Sequence, residues 1–421
     1  NGVAAFVFGG CLMLGATAPE ARAQDSAASA GSAAEERVSV GLLTIERSPV
    51  DKPSRFAWLA GEAPPTLRSL VNTIERAGTD RSLGAMVVRI KDAVFTAAQV
   101  QEIGQAIERA RGSGTPVHFF AEGYGPGEVM LASYADEAIV QRGGQVMFPG
   151  MYMEEMYLAD TLEWIGIEAD FVQIGDYKGA SEALVNSKPS DAWDQNISRL
   201  LDELYGAMRR VVRTGRGLSA DELDNAMARV WMNGSQAIEA GLIDAEVDLS
   251  DLQSHLEKAY DGNVDFEKIE PETPDGPKFD PANPFAMLAM LSSKPPHRPK
   301  RPTIALVHIT GPIVDGESTE GGLFGGASTG SRTIRNALTE LENQDLIKGV
   351  VVRIDSPGGS AVASEVIWQG LKRLRAKKPV WVSVGSMAAS GGYYIAVGGE
   401  RIYLNQSSIV GSIGVVGGKL A

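Results

Sequence analysis

Three short stretches hold residue types that could carry out acyl transfer. Residues 386–396 read SMAASGGYYIA and place Ser390 between two alanines and two glycines. Small neighbours let a substrate backbone approach a hydroxyl. A glycine directly after it opens a helix whose first N–H groups have no intrahelical acceptor and point at developing negative charge. Glycine inside a core helix costs about 1 kcal/mol against alanine, so packing does not explain Gly391 and Gly392. The competing reading of Ser390 is a plain helix N-cap. The second stretch, DSPGGS at 355–360, follows an apolar run. Pro357 stiffens the turn, and Gly358 and Gly359 allow backbone N–H groups to face a ligand. An oxyanion needs such donors, and the Gly391 N–H is the other one.

A nucleophilic serine also needs a base. The chain has four histidines: His118 and His308 fall in apolar strand-like runs, and His255 and His297 in polar or linker segments. None is well placed to serve. The third stretch, FVQIGDYKGASEAL, offers Lys178 behind an apolar run and between Gly175 and Gly179. Lowering a lysine from about 10.4 to about 7–8 takes roughly 4 kcal/mol of desolvation. A solvated surface lysine is the plainer reading.

Composition narrows the rest. A net charge of −14 argues against a polyanionic partner such as nucleic acid. With Cys11 as the one cysteine, and no HExxH or CxxC, neither a disulfide framework nor a cysteine metal site is available. No metal and no cofactor are called for.

The elements that must position these residues come from an internal repeat. LGAMVVRI (83–90) matches IKGVVVRI (347–354), TPVHFF (115–120) matches KPVWVS (378–383), and ADEAIV (135–140) matches GGERIY (398–403). A helical spacing lies between the first two runs in each copy: Val100, Ile103, Ile107 and Ala110, then Val362, Val366, Ile367, Leu371 and Leu374. Apolar strands alternating with helices predict an α/β fold of tandem βαβ units, with parallel sheets covered on both faces. On this alignment Ser390 lies over Gly127, and DSPGGS over KDAVFT (91–96). Both features that an acyl-transfer site needs are therefore confined to the second copy.

Residues 191–213 form an amphipathic helix, and Ser219 with Glu222 a capping box. Around the repeats, residues 1–23 read as a signal peptide or membrane anchor, with an apolar run and Ala21-Arg22-Ala23. Residues 24–39 read as a flexible tether, 40–260 as the first repeat, 261–302 as a proline-rich linker and 303–421 as the second repeat. PFAMLAMLSS (284–293) is an apolar island within that linker. The second copy is shorter than the first, so a truncated second repeat is expected. Asn1 in place of Met suggests missing sequence at the start as well. The N-terminal layout predicts an extracytoplasmic protein at or near a membrane.

ASGGYYIA, DSPGGS, GSIGV (411–415) and GDYKGASEA together resemble the signal peptide peptidase A family in its long, two-repeat form. MNGSQAIEAGLIDA (232–245) is similar to that family's segment after its lysine motif. The resemblance covers roughly residues 40–421. It implies tandem ClpP/crotonase-like repeats and a membrane-associated serine endopeptidase that cuts remnant signal peptides and other apolar peptides. Carried over by position, Ser390 becomes the nucleophile and Lys178 the base. Gly358 and Gly391 become the oxyanion donors, and Ser412 orients the lysine. It further implies a homotetramer on the periplasmic side of a bacterial membrane. The family's lysine motif often ends in Glu-Pro, whereas Ala183 follows Glu182 here. A crotonase-type acyl-CoA hydratase or isomerase, and a non-catalytic scaffold of the same fold, are the alternatives.

Overall fold

The structure, a computed structural model, describes residues 37–52, 64–271, 299–322 and 325–421. The expected leader 1–23 with Cys11, most of the tether, the island at 284–293 and His297 lie outside the described residues.

The first half alternates strands and helices: β1 (Arg37–Ile45), α1 (Leu67–Thr79), β2 (Ala85–Ile90), α2 (Ala97–Gly112), β3 (Val117–Ala121), α3 (Pro126–Ala132) and β4 (Glu137–Gln141). Next come β5 (Gln145–Met147), α4 (Ala159–Trp164), β6 (Ala169–Ile174), α5 (Glu182–Val185) and α6 (Asp191–Arg216). The half ends with α7 (Ala220–Ala228), β7 (Trp231–Asn233), α8 (Gly234–Glu239), β8 (Ala245–Val247), α9 (Leu252–Tyr260) and β9 (Asn263–Ile269). Its main sheet has the order β8-β4-β3-β2-β1-β9, and every pair in it is parallel.

Alternation along the strands explains the apolar runs. Met86, Val88 and Ile90 enter a core with Leu70, Ile74, Val100, Ile103 and Ile107 of α1 and α2. Ala85 and Val87 face the other way, toward Leu252 and Leu256 of α9. Both faces are dry at the centre of this sheet, so β2 is apolar on both sides apart from Arg89.

The second half repeats the order. It has β10 (Thr303–Thr310), β11 (Ile313–Val314), β12 (Thr319–Gly322), β13 (Gly325–Gly330), α10 (Ser331–Glu342), β14 (Ile347–Ser356), α11 (Ala361–Arg375) and β15 (Val380–Ala389). It continues with α12 (Gly391–Ala396), β16 (Arg401–Tyr403), β17 (Ile409–Gly411) and β18 (Val415–Leu420). The parallel sheet β10-β14-β15-β16 carries β17 beside the far end of β15. The chain thus has the α/β class, parallel sheets and repeated order expected of it.

Four expectations need correction. The sheet begins at Arg37, inside the expected tether, and β9 falls inside the expected linker. β9 reads as polar because it is an edge strand: NVDFEKI keeps Val264 buried while Asp265 and Glu267 face outward, and it pairs along β1 from Arg37↔Asn263 to Leu43↔Ile269. Val362 is 68% exposed, because the buried stripe of α11 is Ala363, Ile367, Gly370, Leu371 and Leu374, one position away. The second sheet is dry on one face only. Ile304, Leu306, Trp381 and Tyr403 are exposed on it, and α9 has no counterpart over them among the described residues.

Candidate active site

Ser390 stands where β15 ends and α12 begins, and the backbone there is bent hard. Its φ of +50° and ψ of −113° lie where L residues seldom sit. Such a conformation costs on the order of 1–3 kcal/mol unless the surroundings impose it. Two hydrogen bonds do so: the Ser390 N–H donates to Gly411 O at 2.8 Å, and its carbonyl accepts from the Tyr394 N–H at 2.9 Å. The side chain makes no capping hydrogen bond, so the plain N-cap reading does not describe this hydroxyl. It is half-buried, and no described residue bonds its Oγ.

The glycines around it are required by close approach. A β-carbon on Gly358 (φ +95°) would lie 2.7 Å from Ala389 O and 2.8 Å from Ser390 Cβ. One on Gly391 would lie 2.4 Å from Ser364 Oγ, and one on Gly359 (φ +154°) 2.1 Å from Ile313 O. The loop 355–360 is thus pressed against the start of α12.

The N–H groups of this loop are not equivalent. The Gly358 N–H, expected to serve the oxyanion, donates to Ser356 Oγ at 3.1 Å, and that fully buried hydroxyl donates to Gly311 O at 2.7 Å. On Gly359's other side, Ile313 N–H donates to Gly358 O and Ser360 N–H to Ile313 O, each at 2.9 Å. Gly359's own N–H therefore turns away from Ile313. It lies 3.3 Å from where a Gly391 β-carbon would be. The Gly391 N–H, first in α12, has no intrahelical acceptor. The N–H groups of Gly359 and Gly391 thus lie close together at the start of α12. Sequence reading had admitted Gly359, but it gave Ser356 no part.

Lys178 lies in the loop between β6 and α5, with its side chain buried at 4% exposure. Nζ donates to Ser412 O and Ser412 Oγ, both at 3.2 Å. No carboxylate forms an ion pair with it among the described residues, and burial holds its pKa below the usual lysine value. No hydrogen bond joins Nζ to Ser390. The link runs through one peptide unit, since Ser390 N–H is bonded to Gly411 O and Lys178 to the next residue. Two pairings bring this about: Ala389↔Gly411 in β15–β17, within the second half, and the antiparallel ladder Val415↔Ile174 to Leu420↔Ala169 between β18 and β6, which joins the two halves. Ser390, Lys178, Gly391 and Ser412 are thus gathered at one place.

The histidines are elsewhere. His118 bonds Glu137 and Tyr260, and His255 bonds the same Glu137. His308, on β10, is held below the usual value by burial.

The first repeat shows what the same geometry looks like without the chemistry. The N-cap of α3 is Gly125, two residues before the Gly127 that the sequence alignment placed under Ser390. The next residue is Pro126, which has no N–H to offer. The Gly125 N–H donates to Glu128 Oε2 at 2.9 Å, so a carboxylate already occupies that corner.

Comparison with known proteins gives a family for the chain. The description Peptidase family S49 matches residues 109–263 and 372–421. The chain is 33% identical to "Protease 4" of Salmonella typhi over 396 residues, 89% of this chain and 61% of that protein. It is 31% identical to "Protease 4" of Haemophilus influenzae, covering 82% of this chain and 55% of that protein. It is 27% identical to "Serine protease SPPA, chloroplastic" of Arabidopsis thaliana, covering 83% and 50%. The chain therefore spans between half and about three fifths of the length of these relatives. Through the two matched segments, which carry the Lys178 loop and the Ser390 turn, the chain belongs to peptidase family S49.

Proposed function

We propose that the protein is a serine endopeptidase working through a Ser390–Lys178 dyad. The observation that carries this is the buried, ion-pair-free Lys178 one peptide unit from a strained, uncapped Ser390. A neutral lysine has two N–H bonds and one lone pair. With both hydrogens given to Ser412 O and Oγ, the lone pair remains as the base. In the reaction it takes the Ser390 hydroxyl proton while Oγ bonds to the substrate carbonyl carbon. The carbonyl oxygen becomes an oxyanion held by the Gly359 and Gly391 N–H groups. Lysine then passes the proton to the leaving amine, the C–N bond breaks, and an acyl-enzyme remains for water to hydrolyse. Ser412 orients the amine throughout.

Apolar peptides suit the surroundings. Ile413, beside Ser412, and Val172 and Ile174 on β6 are each more than 70% exposed. The same exposed surface supports work at a membrane and assembly of several copies. No helix among the described residues is long and apolar enough to cross a bilayer. The names of the relatives support proteolysis, and the expected leader together with the sequence resemblance supports a role in clearing cleaved signal peptides on the periplasmic side.

The test is labelling with a fluorophosphonate probe and cleavage of an apolar peptide, by the full-length protein and its Ser390→Ala variant. Wild type should label and cleave, and the variant do neither. Cleavage persisting in Ser390→Ala would remove the serine from the mechanism, and a hydratase of the same fold would not label at all.

A further inference from the structure

The strand that carries Ser390 is held by side chains from the other repeat. Arg353, in β14 with its side chain 13% exposed, is the meeting point. Its Nη1 donates to Ser383 Oγ at 2.9 Å and to Val384 O at 3.2 Å, both in β15. Its Nη2 donates to Glu102 Oε1 of α2 at 2.7 Å, and its Nε to Asp51 Oδ1 at 3.3 Å. Asp51 lies in the segment after β1, so it and Glu102 both come from the first repeat. Asp355, which opens the DSPGGS loop, accepts from Met387 N–H of β15 at 3.1 Å.

The second oxygen of Asp51 is unusual. Oδ2 is buried and has no hydrogen-bond partner among the described residues. A β-carbon on Gly385 would lie 3.0 Å from that oxygen and 3.2 Å from Asp355 Oδ2, so both carboxyl groups crowd the same backbone position of β15. A side chain present only to glue two halves together would not leave a buried carboxylate oxygen unpaired. Burial, then the neighbouring Asp51, raise the pKa of Asp355, consistent with two acids sharing that space. Downstream of this point β15 exchanges β16 for β17 as its outer neighbour, while a register shift carries its pairing with β14 on to Ser356↔Ala388, and its last residue precedes Ser390.

We infer that Asp51 is a positioning residue contributed by the first repeat, which acts through Arg353 and against Gly385 to set where β15 delivers Ser390. Asp51 does not touch substrate. It fixes Arg353, and Arg353 fixes Ser383 and Val384. With Asp355 bound to Met387, the nucleophile strand and the oxyanion loop are held by one network. The inference rests on Ser390 being the nucleophile. A displacement of about 1 Å at a reacting group lowers rates by about 100-fold, so a shift transmitted along this strand is readable.

The experiment uses the full-length protein and follows the rate of fluorophosphonate acylation, the peptide KM and the melting temperature. Asp51→Ala should acylate about 10–100 times more slowly with KM within about twofold of wild type, since the strand shifts while the binding surface stays. Asp51→Asn keeps the Oδ1 acceptor for Arg353 and should recover most of that rate. Gly385→Ala keeps all charges but places a methyl against Asp51 Oδ2, and should also acylate slowly. Asp51→Ala at the wild-type rate would overturn the inference, as would Asp51→Asn no better than Asp51→Ala. If Asp51→Ala does not fold, a wild-type rate in Gly385→Ala overturns it. Labelling that persists in Ser390→Ala would instead show that the reading of the site itself is wrong.

Discussion

At the scale of single residues, burial does most of the work. Lys178 has lost its water and gained no counter-charge, and desolvation disfavours its ammonium form. A base acts only when neutral, so acylation should rise with pH through a titration below the usual lysine value of 10.5. The stability effect has the same sign. The unfolded chain binds this proton more tightly, so stability rises with pH between the folded and unfolded pKa values, and below the folded value the full cost of the buried ammonium is present and constant. Lys178→Met should therefore abolish acylation while melting at or above the wild-type temperature at neutral pH, and it should lack that pH-dependent rise. A melting temperature well below wild type would show instead that Lys178 has a structural role.

At the scale of elements, the lysine loop is fastened at its far end. Glu182 is buried, accepts the Ser190 N–H at 2.9 Å and also bonds Ser190 Oγ. That hydroxyl caps α6 by accepting the Trp193 N–H at 3.2 Å. Trp193 lies over Gly179, where a β-carbon would be 2.2 Å from its ring. Replacing Glu182 by Ala leaves the half-buried Ser190 N–H without its acceptor, which costs on the order of 1 kcal/mol. It should lower both melting temperature and acylation rate, and Glu182→Gln should restore part of each. The missing proline of the lysine motif matters little here, because Ala183 contributes its carbonyl, accepting Leu158 N–H at 2.7 Å.

At the scale of the whole molecule, two copies of one fold have been put to different uses. The first repeat gives the lysine loop and the side chains at the seam, and the second gives the serine turn and the glycine loop. The α3 corner has no hydroxyl at Gly125, no donor at Pro126, and the Glu128 carboxylate already in place. Introducing Gly125→Ser into a Ser390→Ala background should leave the protein unlabelled by a fluorophosphonate. Labelling there would mean that a hydroxyl alone suffices.

Much of this was legible in the sequence. The repeat, the βαβ order and the α2 stripe of Val100, Ile103, Ile107 and Ala110 follow from local periodicity, because strands dry on both faces and helices dry on one must be patterned that way. The unusual composition around Ser390 and in DSPGGS was visible for a similar reason: close backbone approach excludes side chains. What tertiary structure alone decided was which groups meet across a long stretch of chain. β9 looked like linker because an edge strand takes most of its stability from hydrogen bonds to β1, which leave little trace in composition. Gly358 and Gly359 are indistinguishable as letters. Only the tertiary bonds show that the Gly358 N–H is engaged by Ser356 and that the Gly359 N–H is not bonded to Ile313. Asp51 gave no signal, since a buried carboxylate and a solvated one are written the same way. Its partners lie in the other repeat, brought there by the packing of two sheets.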